Sequence, residues 1–425
     1  MIQCATNPLF LFLAVWGTAL VLYLSGVHTG LFGPGVPQAT GAVLLNVAAF
    51  SLGYLTWSLL EGPKMPGSEI PALGGPPLTP RRLKASLNLT LLFGLIAVGF
   101  CVLRIVILSQ AVGIDLSRVL AKPILCRKII AAPIAPAMYD VRLCTIAITL
   151  AGSIFSLGFV LLGILLYFGR GWRRYGLALL FLLVSLSIGL LSLARQEVTI
   201  NVLFVVLSYL FLHHWHRLRR GWAAVGPLLV PLAALIVLFV LIDLLLRKSQ
   251  IYRPQNRLHG FFFSVYWYLA SPLGAFAEYV RRGDHTLTLG QSLLLPFYKW
   301  LARLDLVPAT SKTVLTDWLH IPYAANVFTY LREIHEDFGF AGVAVVPYGL
   351  GALSTVLRRH AGGAFPCLNL YLILLVVLIF SVYSYLLVSS QFYLQAAFAL
   401  LFLNYDLRFM IYDLSLPPQP TKQKS

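Results

Sequence analysis

The sequence predicts an all-α polytopic membrane protein, with about ten transmembrane helices and a large outer loop carrying amphipathic helices. Three observations predict it. Hydrophobic residues make up 59% of the 425 residues and charged residues only 11%, against about 25% charged in a soluble domain. Apolar runs long enough to cross a bilayer return along the chain, and mean hydropathy is +0.83. Basic clusters fall in the short connections on one side. Together these exclude a soluble globular enzyme, a disordered chain and a disulfide scaffold. They also explain the net charge of +17 by membrane side, so no nucleic-acid partner is expected. Cys4, Cys101, Cys126, Cys144 and Cys367 show neither metal nor disulfide spacing.

The expected spans are residues 8–25, 40–60, 87–108, 143–168, 175–194, 198–213, 222–246, 338–357, 366–388 and 392–410. The first is a retained helix rather than a secretory signal, because residues 1–7 carry no positive charge. Four organisational blocks follow: a first bundle at 1–246, an outer loop at 247–337, a last bundle at 338–410 and a tail at 411–425. Both termini are expected to be cytoplasmic. That choice puts Lys64, Arg81, Arg82 and Lys84, then Arg170, Arg173 and Arg174, then Arg217, Arg219 and Arg220, then Arg358 and Arg359, then Lys422 and Lys424 on one side.

The segment 258–280 is aromatic and apolar. It is expected to be interfacial or re-entrant, because a span there would put Arg358, Arg359 and the tail outside. Phe261, Phe262, Phe263, Tyr266, Trp267 and Tyr268 suit a headgroup zone, where they would anchor the helix or contact a lipid chain or sugars. Residues 291–306 form a second amphipathic helix on the outer surface. Residues 109–142 form an interfacial piece, and the Pro- and Gly-rich stretch 61–80 forms a cytoplasmic loop. No internal repeat supports a transporter.

The cytoplasmic arginines read as topology and lipid attraction. His213, His214 and His216 read as a solvated helix end. The outer charges are more informative. Arg195 sits at the outer mouth of the fifth span beside Glu197, and Arg104 lies inside the third. A charge within a span costs roughly 2.5–3.5 kcal/mol, so each is weighed between function and snorkelling. Arg253, Arg257 and His259 cluster early in the outer loop. Residues 326–339 lead into the eighth span. On one helix, Thr329, Arg332, Glu333 and Glu336 would share a face, with His335 and Gly339 close to it. Arginine forks grip phosphate or diphosphate. A neighbouring carboxylate or histidine can take a hydroxyl proton. There is no outer metal triad or acidic DxD-like pair, no Walker loop and no GxSxG turn, so a metal-independent site without cofactor is expected.

Asn326, Phe328, Thr329, Arg332 and the run Asp337-Phe338-Gly339-Phe340-Ala341-Gly342 resemble the oligosaccharide repeat unit polymerases, the Wzy-type O-antigen polymerases. The stretch from Tyr266 to Phe276 and the arginine at 195 are similar to that family as well. The resemblance covers about residues 175–360. The chain departs from the family after Thr329, where Tyr-Leu-Arg-Glu-Ile-His-Glu stands in place of an arginine followed by proline and aromatics.

The resemblance implies a GT-C-like membrane glycosyltransferase in a bacterial cytoplasmic membrane, working at its outer face. It would join polyprenyl-diphosphate-linked oligosaccharides into O-antigen, capsule or exopolysaccharide, by an inverting or retaining transfer. Membrane lipids, a chain-length regulator and a flippase are the implied partners. Arg195, Arg253, Arg257, His259, Asn326, Thr329, Arg332 and Tyr266 would hold the substrate. His335, Glu336 or Asp337 would act as base, though Asp337 also fits a helix-start charge. Three alternatives remain: an O-antigen ligase, a lipid-linked oligosaccharide flippase, and a structural partner in an export complex.

Overall fold

The computed structural model describes residues 6–32, 37–60, 78–115, 117, 139–168, 172–192, 195–216, 257–283, 287–308, 319–321, 324–325, 328–383, 386, 389–403 and 405. In chain order the helices are α1 (Pro8–His28), α2 (Pro37–Leu60), α3 (Pro80–Val112), α4 (Tyr139–Phe168), α5 (Arg173–Ser192), α6 (Arg195–His216), α7 (Arg257–Arg282), α8 (Leu295–Arg303), α9 (Tyr330–His360), α10 (Phe365–Phe380) and α11 (Ser390–Phe402). Leu319–His320 and Ala324–Ala325 pair as a minimal antiparallel ladder, β1 and β2.

Local chemistry sets several boundaries. Asn7 caps α1 by accepting from the Leu9 amide at 3.0 Å, and Thr79 caps α3 by accepting from Arg82 at 3.3 Å. Pro8 and Pro80 follow these caps, where a missing N–H costs nothing. Gly113 ends α3 in the left-handed region.

Seven of the described helices, α1 to α6 and α9, are long and apolar enough to cross a bilayer. They fit a multi-pass membrane protein. The expected ninth and tenth spans are shorter than read from sequence, since α10 has 16 residues and α11 has 13. Turns at 381–383 end the first of them. The expected span at 222–246 lies outside the described residues, as do 61–77 and most of 109–142. Helix α7 covers the ambiguous aromatic segment and is not among the seven. It carries Pro272 and ends on Arg281 and Arg282.

The chain divides into two compact units that interleave along the sequence. The first is Met1–Lys64, Arg247–Val356 and Ile373–Phe392; the second is Met65–Leu246, Leu357–Leu372 and Tyr393–Ser425. The expected outer loop thus falls in one unit with the first two helices.

In the first unit, α7 packs on α1 and α2. Trp267 is buried and stacks with Phe32 and Phe263 at centroid distances of 5.6 and 6.3 Å. It serves the core of the unit. Small residues let α2 meet α9 backbone to backbone: a Cβ on Gly53 would fall 2.1 Å from the Tyr348 carbonyl, and one on Gly351 would fall 2.3 Å from that of Phe50.

In the second unit, α4 packs against α3, α5 and α6. Phe155, Phe159 and Phe181 form its aromatic centre. A buried chain of hydrogen bonds crosses three helices: Ser156 donates to Asn201, and Asn201 donates to Ser185, each at 3.0 Å. Within apolar surroundings such groups must pair with one another.

Candidate functional site

The site is built around the first turns of α9, in the first unit. Tyr330 fixes that start. Its amide donates to the Ser381 carbonyl at 2.9 Å, its hydroxyl donates to Asn46 of α2, and its ring lies 5.7 Å from that of Trp16. Trp16 in turn donates to the Ser381 hydroxyl at 2.9 Å. Three separate stretches of chain therefore hold one buried tyrosine, and the residues that follow inherit its position.

Arg332 comes two residues later. Its guanidinium carbon lies 4.1 Å from the Phe328 ring centroid and 5.4 Å from that of Tyr279 on α7. Its Nε and Nη1 are buried and have no hydrogen-bond acceptor, and it makes no ion pair among the described residues. Aromatic faces attract a desolvated guanidinium by about 2 kcal/mol. They accept no hydrogen bonds in the plane of the fork, and each buried unmade bond costs about 1–3 kcal/mol. An anion presenting two oxygens in that plane would recover this cost.

His335 is buried one turn on, ringed edge-on by Phe340 at 4.8 Å, Tyr279 at 5.9 Å and Phe276 at 6.4 Å. Burial, and then the charge of Glu336, push the Tyr279 phenol up, with Arg332 pulling the other way. The phenol keeps its proton and remains a donor at neutral pH.

Asp337 is fully buried and its carboxylate is committed. It accepts from the Ser292 amide at 3.0 Å, the Leu293 amide at 2.6 Å and the Thr288 hydroxyl. Thr288 and Leu289 amides also donate to the carbonyls of Glu336 and Asp337, at 3.1 and 3.2 Å. Asp337 therefore ties the segment before α8 to the start of α9. Glu336 is partly exposed, and its Oε2 accepts from the Ser292 hydroxyl at 3.1 Å.

Immediately after this clamp, Gly339 leaves the helical region, at φ 62° and ψ −154°. Sequence reading placed Gly339 near the polar face of one continuous helix. The break removes it from that face and separates a short charged first segment from the apolar span. The left-handed sign of φ at this point favours glycine.

Of the residues expected at the site, Arg332, His335, Glu336 and Asp337 come together. Thr329 is buried directly before α9, and its hydroxyl has no hydrogen bond among the described residues. Tyr266 commits its hydroxyl to the Leu22 carbonyl of α1 at 3.0 Å. Arg253 and Asn326 lie outside the described residues. Arg257 and His259 start α7 and Arg195 starts α6, with their side chains outside the description. Arg104 belongs to the second unit, where its charge acts on Glu197 of α6. Sequence reading missed Tyr279, Phe276, Thr288 and Ser292. Their only sequence signal is local: aromatics at helical spacing near the end of α7, and hydroxyls either side of Gly290. Among the described residues no cluster has metal-ligand character.

Comparison with known proteins gives no match: no family model, no curated protein and no solved structure aligns with the chain.

Proposed function

We propose that the first unit carries the active site of a membrane glycosyltransferase that polymerises polyprenyl-diphosphate-linked oligosaccharide repeat units, at the outer face of a bacterial cytoplasmic membrane. The observation that supports this reading is Arg332, a guanidinium slotted between two rings with buried, unsatisfied nitrogens beside a carboxylate and a histidine. The substrate and the membrane side rest on the sequence resemblance.

In the reaction, the diphosphate of the donor lies in the plane of the Arg332 fork. The bond between the sugar anomeric carbon and the diphosphate oxygen breaks, and its electron pair leaves with the diphosphate. Arg332 stabilises the charge that develops there. A hydroxyl oxygen of the acceptor repeat unit forms the new bond to that carbon. Its proton passes to Glu336 or His335. Of the two, Glu336 is the more exposed. Tyr279, held protonated, donates to a substrate oxygen. Asp337 positions this machinery and takes no proton, since both its oxygens already accept hydrogen bonds from the loop before α8.

The test is complementation of a deletion host with wild type, Arg332→Ala or Arg332→Lys, reading the glycan as a gel ladder. The expected result is single repeat units in the null, a ladder with wild type, and loss of chain growth by at least about a hundredfold in both variants at normal membrane levels. Lysine fails because it lacks the planar fork. Full-length chains retained on the carrier in the null would make the protein a ligase. Unpolymerised units left on the cytoplasmic face would make it a transporter.

A further inference from the structure

Arg332 and Glu336 stand four residues apart at the start of α9, the spacing at which opposite charges on a helix meet. A second observation puts them on one side. Both charges act on the Tyr279 phenol, Glu336 pushing it up and Arg332 pulling it down. Two such groups ordinarily close on each other, yet these two stay apart. Arg332 Nε and Nη1 are buried without an acceptor, and Arg332 makes no ion pair among the described residues. The carboxylate that could satisfy the fork is held elsewhere.

Ser292 holds it. The serine hydroxyl donates to Glu336 Oε2 at 3.1 Å. The serine is itself buried and fixed. Its amide donates to Asp337 Oδ1 at 3.0 Å. Its hydroxyl lies 3.5 Å from that of Thr288, which donates to the same Asp337 oxygen. One residue therefore grips two neighbouring acids of α9 through two different groups. The amide bond fastens the segment before α8. The hydroxyl bond adds little to that fastening, because Asp337 already receives two amides and a hydroxyl from the segment. What the hydroxyl bond sets is the direction of the Glu336 carboxylate.

We propose that Ser292 is a positioning residue whose hydroxyl holds Glu336 away from Arg332, so that the guanidinium fork stays open to the phosphate oxygens of the substrate. The inference rests on the reading of the Arg332 slot as a phosphate-binding site. Without that hold, Glu336 turns onto Arg332 and fills the fork from within the chain. A carboxylate matches the fork as a phosphate does. Tethered one turn away, it competes with a free anion at high effective concentration. The arrangement resolves a conflict built into the site: a carboxylate must stand near the arginine without neutralising it.

The test uses the full chain in lipid nanodiscs, with inorganic pyrophosphate as the probe and titration calorimetry as the measurement. Pyrophosphate carries the paired phosphate oxygens and neither chain nor sugar. Ser292→Ala removes the hydroxyl and keeps the amide bond to Asp337, so the fold should be retained, with Tm as the check. It is expected to weaken pyrophosphate about tenfold, the scale of one charge-assisted hydrogen bond. Adding Glu336→Gln removes the competing charge and should return the affinity to within about twofold of wild type. A serine that served only the fold could not be rescued in this way. Arg332→Ala should weaken the probe in every background.

If Arg332→Ala loses the probe while Ser292→Ala binds it as wild type does, the slot stands and the inference falls. If Ser292→Ala and Ser292→Ala with Glu336→Gln are equally weak, the serine acts through the fold rather than through Glu336, which also overturns it. If Arg332→Ala binds as wild type does, the phosphate reading of the slot fails, and the role of Ser292 with it.

Discussion

Two arginines in apolar surroundings, one in each compact unit, have different neighbours. Arg104 lies within the third helix with its Nε buried and without an acceptor, and the charge of Glu197 at the start of the sixth helix is close enough to interact with it, without an ion pair among the described residues. Arg332 opens the ninth helix with two aromatic faces and no carboxylate at ion-pair distance among the described residues. An arginine with an acid within reach of its field is partly compensated in the fold. An arginine answered by rings keeps its whole charge and its in-plane donors. On the proposed reading, that difference assigns Arg104 to the scaffold and Arg332 to the site.

Reversing the order of damage is the strongest way to break that comparison. Arg104→Leu should leave Glu197 without that charge and destabilise the protein by about 1–3 kcal/mol, while Arg104→Leu with Glu197→Leu should recover most of the loss. Arg332→Leu should do the opposite: it removes a charge with unmade bonds, so stability holds or rises while chain growth disappears. Thermal unfolding of the purified variants, read as a double-mutant cycle and set beside the glycan ladder, checks both halves. A stable Arg104→Leu protein that fails to extend chains would make Arg104 a ligand and dissolve the distinction.

The sequence made part of this contrast visible. Period and hydropathy located the helices α1 to α6 and the charged start of α9, because both depend on neighbours within a turn or two. The shared face of Arg332, Glu333 and Glu336 was legible for the same reason. What decides the roles was not. Glu197 was read as a neighbour of Arg195, since only packing brings it to Arg104, 93 positions earlier. The rings on Arg332 come from Tyr279 and Phe328, and the bonds to Asp337 come from Thr288, Ser292 and Leu293, more than forty residues away. Periodicity states which residues share a face and is silent on what that face meets. The break at Gly339 was hidden likewise, since one glycine within an apolar helical pattern is compatible with a continuous helix.

A smaller effect sharpens the role of Asp337 within the site. Asp337→Asn keeps one acceptor oxygen but turns an amide toward the Leu293 N–H, donor against donor. It should cost about 2–3 kcal/mol, the scale of a lost charge-assisted bond. Hydrogen exchange at the Ser292 and Leu293 amides should accelerate, and chain growth should fall only in step with weakened substrate binding. A clamp predicts that joint loss. A hundredfold fall in turnover with unchanged exchange and stability would instead make Asp337 the base.

The smallest expected effect completes the comparison with a third kind of arginine. At the end of α7, Arg281 and Arg282 reach Glu278 at 2.7 and 3.3 Å, yet their side chains are 65% and 56% exposed. The hydrogen bond from Arg281, opposed by partial burial and aided by Arg282, holds the Glu278 carboxyl below its ordinary value of 4.5. A carboxyl lowered by folding contributes stability above that value, and loses it as pH falls through the lower folded pKa. Water and salt screen so exposed a pair, so Glu278→Gln should cost no more than about 0.5 kcal/mol at pH 7, and less at pH 3. Arg281→Ala and Arg282→Ala should leave chain growth within about twofold of wild type, because solvent-screened surface charge adds little to the binding of one anion in a desolvated slot. If either matched Arg332→Ala, positive charge anywhere on this surface would suffice to gather the substrate. The aromatic slot would then have no special claim on the diphosphate.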